Sequence, residues 1–136
     1  MQSGGKVAAA ILVMEDVIAN RQPVNMAVRD WSKKARYAGA KDRAWVSGLV
    51  LDALRRKNSV GHAMGVVDES RAARVLILGT LRFVWGWEMD EIHEIFSQPH
   101  PPEPLSEVEE NNLSLPPEDD APFHIQGDYP EWMTPY

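Results

Sequence analysis

The residues of this chain that could support catalysis or bind a metal do not occur at the spacing that such chemistry needs. His93-Glu94 begins like the helix of a zinc protease, but the position of the second histidine is Ser97. In that motif two histidines one helical turn apart hold the ion. The chain also has no cysteine, which excludes a thiolate metal site, a disulfide framework and a cysteine nucleophile. The sequence therefore predicts no catalytic residue and no metal site.

Three further patterns do not indicate catalysis or ligand binding. The acid pairs Glu109-Glu110 and Asp119-Asp120 lie in polar, proline-flanked sequence, which is typical of a solvated segment rather than of acid–base catalysis. The glycines at 61 and 65 lack the preceding strand that a phosphate-binding loop requires. His62, His100 and His124 are scattered, and we expect them at the surface or at the edge of the core.

Basic residues are the remaining functional signal. The candidate binding residues lie around the end of the second predicted helix and the start of the third, and again at the end of the third: Lys33, Lys34, Arg36, Lys41 and Arg43, then Arg55, Arg56 and Lys57. Arg71, Arg74 and Arg82 follow on a later helix. Phosphates are bound where Lys and Arg converge on one surface. Such residues predict either a polyanion-binding surface or an ordinary solvated face.

The distribution of charge favours the first interpretation. All 14 Lys and Arg lie between Lys6 and Arg82, together with seven acids, whereas Phe83 to Tyr136 holds 13 acids and no Lys or Arg. The net charge of −6 therefore combines a basic unit with an acidic one. The basic unit suits a polyanionic partner, and the acidic unit is either a solvated segment or an internal shield.

Trp31, Tyr37 and Trp45 could stack on unpaired bases, but their helical positions favour packing in the core.

Apolar periodicity predicts an all-α bundle of five or six helices. The first helix is predicted from an N-cap at Ser3 to about Asn20, the second after Pro23, the third after an N-cap at Asp42, a long helix from Asp68 to Gly86, and a short one capped by Asp90. Their core-facing stripes are Val7, Ile11, Met14 and Ile18; then Val24, Ala27, Val28, Trp31 and Ala35; then Val46, Leu49, Val50, Ala53 and Leu54. The long helix is apolar nearly all round, which is typical of a central position, and its Gly79 would allow a neighbour to approach closely.

The character of the sequence changes near Pro99, since nine of the ten prolines lie from there to Tyr136. Ser106 and Glu109 have the spacing of a capping box and predict one short helix, with Leu105, Val108 and Leu113 resting on the bundle. The remainder is predicted to be an extended tail with aromatic anchors at Phe123, Tyr129, Trp132 and Tyr136. We therefore divide the chain into a helical domain, 1–97, and an acidic proline-rich linker, 98–136.

Four stretches in the same order resemble one protein family: ALRR after Asp42-Arg43, then RVLILGTLRFVWG, PPEPLSEVE and APFHIQGDYPEWM. Together they are similar to the N-terminal region of the Sun/RsmB family of 16S ribosomal RNA cytosine-5 methyltransferases, in its alphaproteobacterial form. The helical part is similar to the NusB fold, an all-α RNA-binding module. In this family the segment corresponding to Gly127–Trp132 leads into the catalytic half.

The resemblance implies a parent enzyme that transfers a methyl group from S-adenosylmethionine to cytosine in RNA, using two cysteines and a Rossmann-like fold. None of these features occurs in this chain, so we expect it to be the N-terminal part of such an enzyme, with no cofactor of its own. Its expected partners are ribosomal RNA and its own methyltransferase domain in cis. The alternatives are a protein-interaction scaffold and a free-standing NusB-like antitermination factor.

No apolar run reaches the roughly 18 residues of a membrane span, and we expect a cytoplasmic location and no membrane partner.

Overall fold

The computed structural model describes residues 2–35, 38–57, 60, 64 and 72–114, and these ranges contain helices and no strand. The helices are α1 (Ser3–Asn20), α2 (Val24–Lys34), α3 (Ala40–Arg55), α4 (Ala72–Gly79, continued as a π-helical stretch over Thr80–Val84), α5 (Met89–Ile95) and α6 (Glu107–Ser114). The predicted all-α class is therefore confirmed. No helix of the described ranges is both long and apolar enough to cross a membrane.

Helix α1 contacts α2, α3, α4 and α5. Val7, Ile11 and Met14 are buried as their spacing predicts, because residues three and four apart share one helix face. The prediction for Ile18 is wrong, since this side chain is 38% exposed near the end of the helix. The core stripe of α1 therefore ends about one turn before the helix does.

The predicted helix starts at Ser3, Asp42 and Asp90 are each displaced. The N-cap residues are Gln2, Gly39 and Glu88, which have extended backbones. Asp42 lies in the first turn of α3, where its carboxylate accepts a hydrogen bond from the Gly39 amide at 3.3 Å. An acid in the first turn interacts favourably with the helix dipole as well as with the orphan amides, so residue type alone does not distinguish the cap from the turn after it.

The start of α1 is completed by a residue distant in sequence. The Gly4 amide donates a hydrogen bond to the Gln98 side-chain oxygen at 2.6 Å. A Cβ atom on Gly4 would lie 2.5 Å from the carbonyl oxygen of Ile95. The segment after α5 therefore fits against α1 only because position 4 is a glycine.

Helix α4 is buried nearly all round, as its sequence predicts. Leu76, Ile77 and Leu78 are all buried, and so is Leu81 in the π-helical continuation. The expected close approach at Gly79 is also present, because a Cβ atom there would lie 2.5 Å from a methyl carbon of Val60. Gly86, with φ of +77°, ends this element as predicted.

Residues 98–114 pack against the bundle. The capping box of α6 is confirmed: the Glu109 amide donates to Ser106 Oγ at 3.1 Å, and the Ser106 amide donates to Glu109 Oε1 at 2.9 Å. Leu113 is buried and Leu105 packs on the core. Val108 does not, being 67% exposed on the outer side of the helix. The division at residue 97 stays a prediction.

Several predicted features lie outside the described residues. They are the cap at Asp68, the histidine at 62, Arg36, Tyr37, Arg71, and the tail from 115 to 136 with its acid pair and aromatic anchors.

Candidate nucleic-acid interface

The first group of predicted cations lies where α2 ends and α3 begins. Lys33 and Lys34 occupy the last turn of α2 and are exposed, as are Lys41 and Arg43 in the first turns of α3. Five residues separate the two helices, and the Ala38 amide donates a hydrogen bond to the Ala35 carbonyl oxygen at 2.9 Å. These four residues form what we call patch A.

The second group lies at the opposite end of α3. Arg55 is the last helical residue, and its side chain is 69% exposed. Arg56 is the half-buried C-cap residue, and Lys57 is exposed beyond it. Cations at this end complement the negative end of the helix dipole. Arg55, Arg56 and Lys57 form what we call patch B.

One exposed face of α3 joins Lys41 of patch A to Arg55 of patch B, whereas Arg43 lies about 160° around the axis from Lys41 and donates to the Ala38 carbonyl oxygen at 3.1 Å. Lys41 and Arg55 are 14 residues apart, which at 1.5 Å per residue separates them by about 21 Å along the axis and by only about 40° around it. Between them the face carries Ala44 and Leu51, which are exposed, and half-buried Gly48. Positive charge is therefore concentrated at the two ends of this face, whereas its middle carries no cation and includes the Asp52 carboxylate, whose side chain is 35% exposed.

Arg74 and Arg82, which the sequence also placed among the candidate cations, have structural roles instead. Arg74 is only 8% exposed and is paired with Glu109 at 2.7 Å. The predicted solvation of Glu109 is therefore wrong, since this carboxylate is 5% exposed and neutralises a buried guanidinium. Arg82 donates to the carbonyl oxygens of Leu113 and Trp87 at 3.0 and 3.2 Å. Neither arginine is a candidate for binding phosphate.

The tryptophans of the described ranges pack on the core rather than standing free. Trp31 and Trp45 are half-buried against it, as their helical positions favour. Trp45 contacts Trp85 edge to face, with ring centroids 5.3 Å apart, and the Lys6 ammonium lies 4.8 Å from the Trp45 ring centroid. The Trp85 indole N–H donates to Asp52 at 2.8 Å. The sequence reasoning missed this cluster, and the closely spaced Trp85 and Trp87 were the only local sign of it.

Another side of the molecule has the wrong charge for a polyanion. Open cavities of about 510, 520 and 390 Å³ lie around Leu12, which is 60% exposed on α1. Their charged lining residues are mostly acids: Glu15, Asp16, Asp30 and Glu103, with Lys34 and the already paired Arg74. This surface is apolar with an acidic margin, so phosphates are better placed on the α3 face.

No catalytic constellation is assembled within the described ranges. His93 and Glu110 form an exposed pair at 2.6 Å between α5 and α6. No group of three or more potential metal-ligating side chains is found in this part of the chain. Patches A and B carry exposed cations, which have the charge that an anion-binding surface requires.

Comparison of the chain with protein-family models, with curated proteins and with solved structures gave no match in any of the three.

Proposed function

We propose that this chain is the RNA-binding, substrate-positioning domain of an S-adenosylmethionine-dependent ribosomal RNA cytosine-5 methyltransferase of the Sun/RsmB family, with a NusB-like arrangement of helices. The observation that supports this most is the exposed α3 face with patch A at one end and patch B at the other. The sequence resemblance supplies the identity of the polyanion and of the parent enzyme.

The physical role of the patches is to neutralise phosphates. Each Lys or Arg that contacts a phosphate releases condensed counterions, which makes the binding strongly dependent on salt. Contacts of this kind orient a nucleic acid on a protein without reading its sequence. The domain would therefore position the RNA, and the methyltransferase domain would select and modify the cytosine.

The chemistry of methyl transfer is assigned to the catalytic domain expected in cis. S-adenosylmethionine supplies the methyl group there, and no residue of this chain is proposed to contact it. The contribution of this domain is the binding and orientation of ribosomal RNA.

The apolar surface around Leu12 favours a second candidate function, a protein-interaction scaffold. Exposed apolar surface with a polar margin is typical of protein–protein contact sites. Trp31 and Pro99 line the same surface, which would suit contact with the methyltransferase domain. This second function is compatible with the first, because the two surfaces share only Lys34. A free-standing NusB-like antitermination factor stays an alternative, and no observation in the described ranges favours it.

A salt titration tests the RNA-binding proposal. Fragments of small-subunit ribosomal RNA should bind the chain with an affinity that falls steeply as the salt concentration rises. Leu12→Ser should leave that affinity unchanged. If the chain fails to bind RNA even at low salt, the proposal is wrong.

A further inference from the structure

The distribution of charge on α3 distinguishes between two forms of RNA. Proteins that bind a single strand use a continuous positive groove that follows the backbone, together with aromatic side chains on which the bases stack. Double-stranded RNA is instead recognised through phosphates and 2′-hydroxyls on the two sides of its wide, shallow minor groove. Binding of a single strand therefore needs cations and aromatic side chains all along the course of the strand. Binding of a duplex across its minor groove needs two separated groups of cations.

The α3 face lacks the continuity that a single strand needs. A strand lying along the roughly 21 Å between Lys41 and Arg55 would place several phosphates there. The inner phosphates would meet Ala44, Gly48 and Leu51 rather than cations. They would also pass near the Asp52 carboxylate, which lies 3.8 Å from the Arg55 guanidinium and has a side chain 35% exposed.

The aromatic residues nearest to this face are already occupied. Trp45 has the Lys6 ammonium above its ring and Trp85 against it. The Trp85 indole is held by Asp52 through the 2.8 Å hydrogen bond. A base that stacked on Trp45 would have to displace these contacts, so the face provides no ready platform for unpaired bases.

The middle of the face suits close approach to a groove. A Cβ atom on Gly48 would meet no atom of the described residues within 4 Å, so no close approach within the described ranges requires a glycine there. Ala44 is also small, so the backbone of α3 is accessible between the two patches. A shallow groove can lie against such a surface while the cations at either end reach phosphates.

We propose that the RNA bound by α3 is a double-stranded segment, with patch A on the phosphates of one strand and patch B on those of the other, and with the middle of α3, which carries no cation, against the minor groove. This inference rests on the proposed RNA-binding function and adds the form of RNA that is recognised.

The test compares one RNA sequence as a duplex and as an unstructured single strand, with the chain as it exists and at equal salt. The duplex would have about 20 base pairs, somewhat longer than the roughly 16 spanned by a known double-strand-binding domain. We expect the duplex to bind at least about tenfold more tightly, because the rigid duplex is already ordered and reaches both patches.

Two sets of variants locate the duplex on α3. Alanine substitution of Lys33, Lys34 and Lys41 in patch A, and separately of Arg55, Arg56 and Lys57 in patch B, should each weaken duplex binding and reduce its salt dependence. Gly48→Glu should reduce the preference for the duplex by about tenfold, because it adds bulk and negative charge where the groove would lie. Arg21→Asn is the control for loss of a single exposed cation outside both patches, and asparagine tolerates the positive φ found there.

The possible results separate the two proposals. Binding of the single strand as tightly as the duplex, with both patches required, overturns the inference and leaves the RNA-binding function standing. Duplex binding that Gly48→Glu leaves unchanged also overturns the inference. Failure to bind either RNA overturns the proposed function itself.

Discussion

Arg74 on α4 and Glu109 on α6 form a two-bonded ion pair inside the bundle, with Arg74 Nε 2.7 Å from Glu109 Oε2 and Nη2 3.1 Å from Oε1. Both residues are less than a tenth exposed, and Arg74 Nη2 also donates to the carbonyl oxygen of Pro104 at 3.0 Å. Glu109 Oε1 also accepts a hydrogen bond from the Ser106 amide. The same carboxylate therefore caps the N-terminus of α6 and binds α6 to α4 through Arg74. This contact joins part of the acidic half of the sequence to the basic half.

Glu109→Ala should destabilise the fold strongly, because it leaves a buried guanidinium without its counter-charge. Loss of one partner of a buried pair costs about 3–5 kcal/mol. Unfolding in urea would measure the change. The double variant Arg74→Met, Glu109→Leu removes both charges and should lose much less, and a single-variant loss below about 1 kcal/mol would contradict this account of the pair.

Gly4→Ala should destabilise the protein, since the new methyl group would lie 2.5 Å from the Ile95 carbonyl oxygen. Forcing the segment after α5 away from α1 should cost about 1–3 kcal/mol, comparable to overpacking a core. Gly48→Ala is the matched control, because it adds the same methyl group in open space and should stabilise α3 by up to about 1 kcal/mol. Thermal unfolding of both variants would check the opposite signs, and equal effects would disprove the close approach at Gly4.

Joint replacement of Arg55, Arg56 and Lys57 by alanine should weaken RNA binding and flatten its salt dependence. The log–log slope should fall by roughly 1 for each phosphate that the variant no longer neutralises. Binding at several salt concentrations measures this, and circular dichroism would check that α3 remains helical. Unchanged affinity and slope would remove patch B from the interface.

Asp52→Asn should strengthen RNA binding, because it removes a negative charge 3.8 Å from Arg55. The asparagine oxygen can still accept the hydrogen bond of the Trp85 indole, so stability should change little. Asp52→Ala removes the same charge but also the acceptor, and should cost about 1 kcal/mol in unfolding. If neither variant raises the affinity, no phosphate comes close to Arg55.

Local pattern was sufficient to predict most of the helices. The stripe of Val46, Leu49, Val50 and Ala53 is buried because a 3.6-residue period places these side chains on one face whatever packs against it. The capping box of Ser106 and Glu109 was also predictable, since both hydrogen bonds lie within one turn. Helix starts were less predictable, because Asp42 and Asp90 stabilise a first turn as well as a cap.

What the sequence by itself determined is the helical class, most of the core stripes and the two groups of cations near the ends of α3. Only the tertiary structure decided which cations are exposed. Arg55 and Arg74 look alike in sequence, but Arg74 meets Glu109 from 35 residues away and is buried, whereas Arg55 lies at the exposed end of α3. The buried face of a helix can be predicted from apolar residues three and four apart, which are neighbours on that helix. The partner of a buried charge cannot, because it depends on which helices pack together in the bundle.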